Sequence, residues 1–235
     1  MIELKKKYQI SKRKFGLINW IGFWTLYKKE VLRFLAVWGQ TLFSPMITSI
    51  LFLFVLSLAI GTERGSVLGV PFVTFLAPGL IAMQVIQQAF SHSSSSIMIG
   101  KIQGNIVDML YPPLSALEVS MAVILASVTR SFMIAVVSIV VFSFLIEIEI
   151  KNIYLIIVYI FLSSFILGSV GFIAGLWAEK FDHMSTVSNF IITPLSFLSG
   201  TFYSIERLPI FLRDASEINP FFYMIDGFRF GFIGQ

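Results

Sequence analysis

The chain contains no cysteine. That excludes disulfides, thiolate metal sites and cysteine nucleophiles. Charge is scarce as well. Asp, Glu, Lys and Arg make up 13% of the 235 residues, against roughly 25% in a soluble domain. Histidine occurs twice, as His92 and His183, with no H-E-x-x-H or carboxylate–histidine spacing around either, so metal-dependent hydrolysis finds no motif. The glycine-rich loop that cradles phosphates is also absent, and ATP is not expected to bind this chain in that way. Ser93–Ser96 read as a polar helix end, not a nucleophile site. Glu118 and Arg130 fall about 120° apart around a helix axis and do not face one another. The chain is expected not to be an enzyme and to hold no metal or cofactor of its own.

What is abundant is apolar. Hydrophobic residues reach 57%, phenylalanine alone numbers 25, and the mean hydropathy is +0.87. One soluble core cannot hide that much apolar surface, so the bilayer is the solvent for most of the chain. The net charge of +4 is crowded towards one end. Lys5, Lys6, Lys7, Lys12, Arg13, Lys14, Lys28, Lys29 and Arg33 all precede the first long apolar run. Beside a membrane span such a cluster marks a cytoplasmic flank near anionic lipid, not a nucleic-acid surface.

The pattern predicts an all-α polytopic membrane protein with five spans. Residues 1–16 are a basic tail. They are not expected to be a cleaved leader, because the apolar stretch after them is interrupted by charge. Over 17–35, Leu17, Trp20, Ile21, Trp24, Val31 and Leu35 recur at helical spacing among Lys28, Lys29 and Arg33. That is an amphipathic helix lying in the interface plane. Together, residues 1–35 form the cytoplasmic tail and interface helix. The transmembrane domain follows at 36–203, with spans at 36–60, 71–90, 119–146, 153–178 and 184–203, each apolar and about the length that crosses a bilayer. Pro45 is expected to kink the first span, and Pro194 lies near the middle of the fifth. Gly171 and Gly175 make a small-xxx-small pair for close helix packing. Residues 204–235 are too polar to span and read as short interfacial segments. With the basic end inside, the polar stretch 100–118 and the charged turn 179–183 are cytoplasmic, while 147–151 and 204–235 are outside.

Polar residues inside spans need partners or water. Gln40, Gln84, Gln87, Thr193, Phe197 and Thr201 are candidates to line a mostly apolar cargo route, and Arg130 is a candidate polar anchor on it. The polar stretch 100–118 is the other candidate. Lys101, Gln103, Asn105 and Asp108 alternate with Ile102, Ile106, Val107, Met109 and Leu110, which predicts a short amphipathic helix over Lys101–Leu110. Tyr111-Pro112-Pro113 stops it. Ser115 with Glu118 three residues on is a capping box for the next span. A push on the short helix is then passed to span three and not absorbed by a loose loop.

Four phrases, FLAPGLIAMQVIQQAFSHSSSS, KIQGNIVDMLYPPLSALE, TPLSFLSGTFYSIERLP and NPFFYMIDGFRFGFIG, in this order and spacing, resemble the permease subunits of type-2 ABC exporters. The resemblance covers nearly all of 17–235 and is strongest to bacterial multidrug-like permeases, among relatives that move nodulation factors, polysaccharides or teichoic acids. It implies that 17–35 is the family's interface helix and Lys101–Leu110 the coupling helix seated in a cleft of the ATPase. Lys101, Ile102, Gln103, Gly104, Asn105, Asp108 and Leu110 are then coupling residues, and Pro113, Leu114, Ser115 and Glu118 the PLS-x-x-E corner. It further implies an external re-entrant hairpin over 204–229, with Asn219, Pro220, Asp226 and Arg229 in it. A sixth span is expected after this hairpin, and the sequence stops at Gln235 before one. The resemblance also implies a homodimer in the bacterial inner membrane, with two copies of a separate ATP-binding subunit that carries ATP and magnesium. The cargo it implies is hydrophobic or amphipathic: a drug, a lipid or a lipid-linked glycan. The rival readings are a secondary transporter or channel, a membrane-embedded transferase, and a regulatory subunit. The first lacks an internal repeat and intramembrane acids, and the second lacks convergent catalytic residues.

Overall fold

The computed structural model describes residues 16, 18–64, 66, 67, 69–203 and 209–234. The basic tail up to residue 15, Leu17, Glu206 and Arg207 lie outside them. The described residues are almost entirely helical, as expected. Four stretches are long and apolar enough to cross a membrane: Gly39–Ala59, Phe72–Ile102, Ala116–Leu145 and Ile153–Trp177.

Helix α1 (Trp20–Leu35) is capped by Asn19, whose side chain accepts from the Gly22 N–H. A π turn at Gly39–Phe43 leads into α2 (Ser44–Arg64). The turn has a local cause. Pro45 has no N–H to offer the Thr41 carbonyl one turn back, so the ladder widens there. The same device recurs at the fifth expected span. Instead of one helix over 184–203, α7 (Phe181–Val187) passes through a π turn at Ser188–Ile192 into α8 (Thr193–Phe197), and the chain turns at Gly200 with φ +70°. Pro194 stands to Phe190 as Pro45 does to Thr41. The run from 181 to 197 rises about 25 Å, less than the roughly 30 Å of a hydrocarbon core. The charged turn expected at 179–183 is shorter, because α7 already starts at Phe181.

Beyond α2, Ser66–Val67 pairs antiparallel with Val70–Pro71 around Gly69. Helix α3 (Phe72–Ile102) then runs far past the expected end at 90. Ser94 and Ser95 do not stop it, because they bond to the helix's own carbonyls: Ser94 Oγ donates to Phe90 O at 2.8 Å and Ser95 Oγ to His92 O at 3.1 Å. A one-turn helix α4 (Ile106–Leu110) follows, then α5 (Ala116–Leu145), α6 (Ile153–Trp177), α9 (Ile210–Ile218) and α10 (Pro220–Ile233).

Helix α3 is the axis of the bundle. In its apolar stretch 78% of residues are buried, against 22% for Gly39–Ala59. Phe75, Leu76, Leu80, Ile81, Ile86 and Phe90 centre the main core. Helix α6 approaches it most closely. A methyl at Gly171 would strike the Phe90 carbonyl oxygen, and one at Gly175 would sit 2.9 Å from Ser94 O. The two glycines and their two partners are each one turn apart, so the backbones mesh in register.

Helix α10 is not interfacial as expected for 204–235. It is packed in the core through Phe221, Ile225, Phe228 and Phe232. It docks on α6 through Gly227, which faces the Tyr159 ring, and Gly231, which faces Ile156. The interfacial description suits α9, whose Ile210, Phe211 and Ile218 are exposed. One end of the bundle gathers α1, α4 and the 178–180 turn. The opposite end gathers the 66–71 hairpin, the 147–151 loop and the C-terminus of α10, whose Gly231 carbonyl accepts from the Lys151 and Asn152 N–H groups.

Candidate functional site

Three constructions stand out. The first is the corner around α4. The expected two-turn helix over Lys101–Leu110 is shorter. Lys101 and Ile102 finish α3, Gly104 turns the chain at φ +74°, and only Ile106–Leu110 is helical. Glycine at 104 supplies that left-handed conformation, which ends α3 without strain. Lys101 is occupied: its Nζ donates to Leu176 O at 2.5 Å and Ala178 O at 2.9 Å, closing the C-terminus of α6. Asn105 donates to Gln103 at 3.2 Å, and Asp108 is exposed.

The capping box is present. Glu118 N–H donates to Ser115 Oγ, and the Glu118 carboxylate accepts from Ser115 N at 2.6 Å and Ser115 Oγ at 2.9 Å. Its other oxygen accepts the Asn19 N–H, and Asn19 Nδ2 donates to Pro113 O at 3.2 Å. Leu114 packs against Gly22 of α1. A second core of Leu26, Ile97, Met109, Val119 and Val123 fills the space between α1, α3, α4 and α5. The corner is therefore tied to α1 and to the start of α5. Its outer side is apolar and open: Val107 is 57% exposed, Leu110 69% and Tyr111 88%.

The second construction is a cleft of about 600 Å³ between α1, the start of α2, α3 and α5. Gln40, Gln88, His92, Arg33 and Arg130 contribute its polar wall, and Phe34, Val37, Pro45 and Ile99 its apolar wall. Arg130 Nη2 donates to Gln88 Oε1 at 2.5 Å. Arg33 is held from behind. Its Nε donates to the buried Glu30 carboxylate at 3.0 Å and its Nη2 to His92 O at 3.3 Å. Ser96 Oγ donates to the same Glu30 oxygen at 2.7 Å.

The third is the anchor of α10. Asn219 caps the helix by accepting the Phe221 N–H at 3.0 Å, Pro220 takes the first helical position, and Asn219 Nδ2 donates to Leu195 O at 2.8 Å. Arg229 is buried with its guanidinium 4.0 Å from the Phe75 ring centroid, and its Nη2 donates to Gly200 O at 2.8 Å. Gly79 lets it in: a methyl there would lie 2.7 Å from Arg229 Nη2. Asp226 is half exposed, 3.8 Å from Arg229. Arg229→Met is expected to destabilise the protein by about 2 kcal/mol, because buried carbonyls lose a charged donor. Asp226→Asn should leave the thermal midpoint in detergent nearly unchanged. Equal midpoints for both variants and the parent would contradict the anchor.

The family model for the ABC-2 type transporter matches residues 21–233. The chain belongs to the ABC-2 type transporter family. Among its relatives, the inner membrane transport permease YadH of Escherichia coli is 32% identical over 217 residues, covering 92% of this chain and 85% of that protein. Nodulation protein J of Rhizobium leguminosarum bv. trifolii is 24% identical over 220 residues, covering 91% and 81%.

For an ABC-2 permease, the expected site residues divide unevenly. The corner residues Pro113, Leu114, Ser115 and Glu118 come together as one construction, with Asn19 as an unforeseen member. The expected cargo route does not assemble as one surface. Gln40 and Arg130 meet at the cleft, but Gln84 is buried in α3, Gln87 is half-buried, and neither lines it. Thr193, Phe197 and Thr201 belong to α8 and its turn. There Thr201 donates to Ser196 O at 3.0 Å, and Phe197 stacks on Phe202 at 5.2 Å. The Thr201 hydroxyl is spent on that local bond, while the half-exposed Phe197 ring also meets Phe52 of α2 at 6.3 Å. Glu30, Arg33, His92 and Ser96 are the members to which sequence reasoning gave no part in a site. Their polarity inside or beside an apolar run was the available signal.

Proposed function

We propose that this chain is the membrane-spanning subunit of an ATP-driven exporter in the bacterial inner membrane, working as a homodimer with separate ATP-binding subunits. The family assignment supports a transport subunit over an enzyme. The observation that carries the coupling role is the open apolar side of the corner, Val107, Leu110 and Tyr111, on a body pinned to α1, α3 and α5. Clustered exposed apolar side chains at the polar end of a bundle are the signature of a protein-interaction surface. A rigid corner transmits the motion of that partner to the long helices.

In this reading α1 lies on the cytoplasmic face with Trp20, Ile21 and Trp24 outward to lipid. Helices α9 and α10 form the external re-entrant hairpin. Its turn at Asn219 sits beside Leu195, and its far end sits at the 147–151 loop. At about 21 Å, α10 is too short to cross. ATP binding draws the ATPase subunits together, the α4 corners follow, and the helices shift to release a hydrophobic or amphipathic cargo outward.

The test is a detergent pull-down of the tagged chain from its native membrane with an ATPase assay of what accompanies it. An ATP-binding subunit should co-purify and be lost with Val107→Glu plus Leu110→Glu. If no ATPase accompanies the unaltered chain, and an ionophore abolishes transport while ATP stays high, the chain works as a secondary transporter and the coupling reading fails.

A further inference from the structure

The cleft between α1, α2, α3 and α5 holds a charge with no carboxylate partner among the described residues. Arg33 is matched by Glu30 at 3.0 Å. Arg130 is matched by a neutral amide only, Gln88, and its Nε is buried with no acceptor among the described residues. No acidic side chain lines the cleft among the described residues. His92 forms part of the wall. It is fully buried, and both of its ring nitrogens are without a hydrogen-bond partner there. A cation inside a span costs free energy unless something compensates it. Here no carboxylate among the described residues is paired with Arg130, and its guanidinium lines an open cleft.

The other wall is apolar. Phe34, Val37, Pro45 and Ile99 line it, and Val37 and Trp38 are more than half exposed at the bundle surface beside it, at 53% and 56%. Arginines able to grip an oxyanion, a neutral amide beside them and an apolar flank at the lipid-facing surface are the recognition chemistry of an anionic amphiphile.

We propose that this cleft is a binding site for the phosphate head group of an amphiphile, with Arg130 and Arg33 on the head group and the chain lying along Phe34, Val37 and Ile99. The site names a substrate class for the exporter and rests on that reading. The guanidinium of Arg130 turns from Gln88 towards the phosphate, and Gln88 donates through its own amide. Glu30 keeps Arg33 from closing over the empty cleft by holding its Nε from behind.

The experiment uses the full chain purified in a neutral detergent and native mass spectrometry of retained ligand. Phosphatidic acid, diacylglycerol and inorganic phosphate are compared as probes. Phosphatidic acid should be retained well above the other two. Arg130→Met should weaken it about tenfold and Arg130→Lys much less, the scale of one charge-assisted contact. Equal retention of diacylglycerol overturns the head-group assignment. Equal affinity for inorganic phosphate makes this a free-ion site and overturns the amphiphile. Unchanged retention in Arg130→Met overturns the location. The comparison of probes on the unaltered chain stands even if a variant fails to fold. No ATPase subunit takes part, so failure here leaves the pull-down result intact, and failure of the pull-down leaves this binding result intact.

Discussion

Glu118→Ala is expected to abolish most transport while leaving the long helices folded. One carboxylate does three jobs at the α4 corner. It completes the capping box with Ser115, accepts a second bond from the Ser115 hydroxyl, and holds the Asn19 N–H at the start of α1. Alanine removes both acceptor oxygens, and with them all three bonds, and leaves the Asn19 and Ser115 N–H groups without a partner carboxylate inside a corner closed by Leu114 and Pro113. The first turn of α5 frays, and α1 loses the contact that sets where it begins. The start of α1 keeps the Asn19 Nδ2 bond to Pro113 O and the packing of Leu114 on Gly22, while contacts from Leu26, Tyr27 and Phe34 hold the helix further along. The end nearest α4 therefore loosens first.

The consequence is loss of transmission, not loss of partner. Val107, Leu110 and Tyr111 keep their apolar surface, so an ATP-binding subunit should still co-purify with Glu118→Ala. Its ATPase should no longer respond to cargo. Glu118→Gln should fall between the two, since an amide oxygen accepts one of the bonds and its NH₂ cannot accept from Ser115. Glu118→Asp, one methylene shorter, should keep the box and lose Asn19. Trp20 and Trp24 on the exposed side of α1 make its detachment visible by fluorescence. Full cargo-stimulated ATPase in Glu118→Ala would show that the corner is not a transmitting joint.

How much of this was legible beforehand depended on whether a residue finds its partner nearby. Ser115 and Glu118 are three apart, so spacing alone named the box. Asn19 is far from both in sequence, and nothing local announced it. Span boundaries failed for the same reason in reverse. Ser91–Ser96 look polar, yet Ser94 and Ser95 bond to their own helix and Ser96 reaches Glu30 of α1, so α3 continues where the hydropathy falls. Pro45 was legible as a break in its helix and Pro194 only as a proline within the fifth span, and the π turns ahead of both follow from the missing N–H. Glu30 was the costly miss. A glutamate among lysines reads as a surface charge, but it is 1% exposed, because Arg33 and Ser96 meet it from α1 and α3. The cleft beside it depends on that cross-helix pair. Arg130 was legible as a cation needing company. Gln88 as that company was not.

Gly171→Leu is expected to destabilise the bundle by about 3 kcal/mol or more, the upper range for overpacking, because the obstacle is backbone. A side chain at 171 would drive into the Phe90 carbonyl oxygen, with Phe90 Cα and C at 3.0 Å. A flexible side chain can swing aside, but a helix backbone cannot without parting from its neighbour. In lipid the hydrophobic effect does not force helices together, so the van der Waals fit of α6 on α3 is what holds them. Gly175 against Ser94 repeats the fit one turn on, and the closure of α6 by Lys101 lies just beyond it. Separation at Gly171 should therefore open the Lys101 contact and weaken the corner as well as the core. Denaturation in mixed micelles should place the midpoint of Gly171→Leu well below that of the parent, with Gly171→Ala between them. Gly39→Ala, where a methyl meets no heavy atom within 4 Å, is the matched control and should move little. If Gly171→Leu and Gly39→Ala unfold at the same point, the α3–α6 contact is looser than a backbone-to-backbone fit. The path from corner to bundle would then run through α1, α3 and α5 without α6.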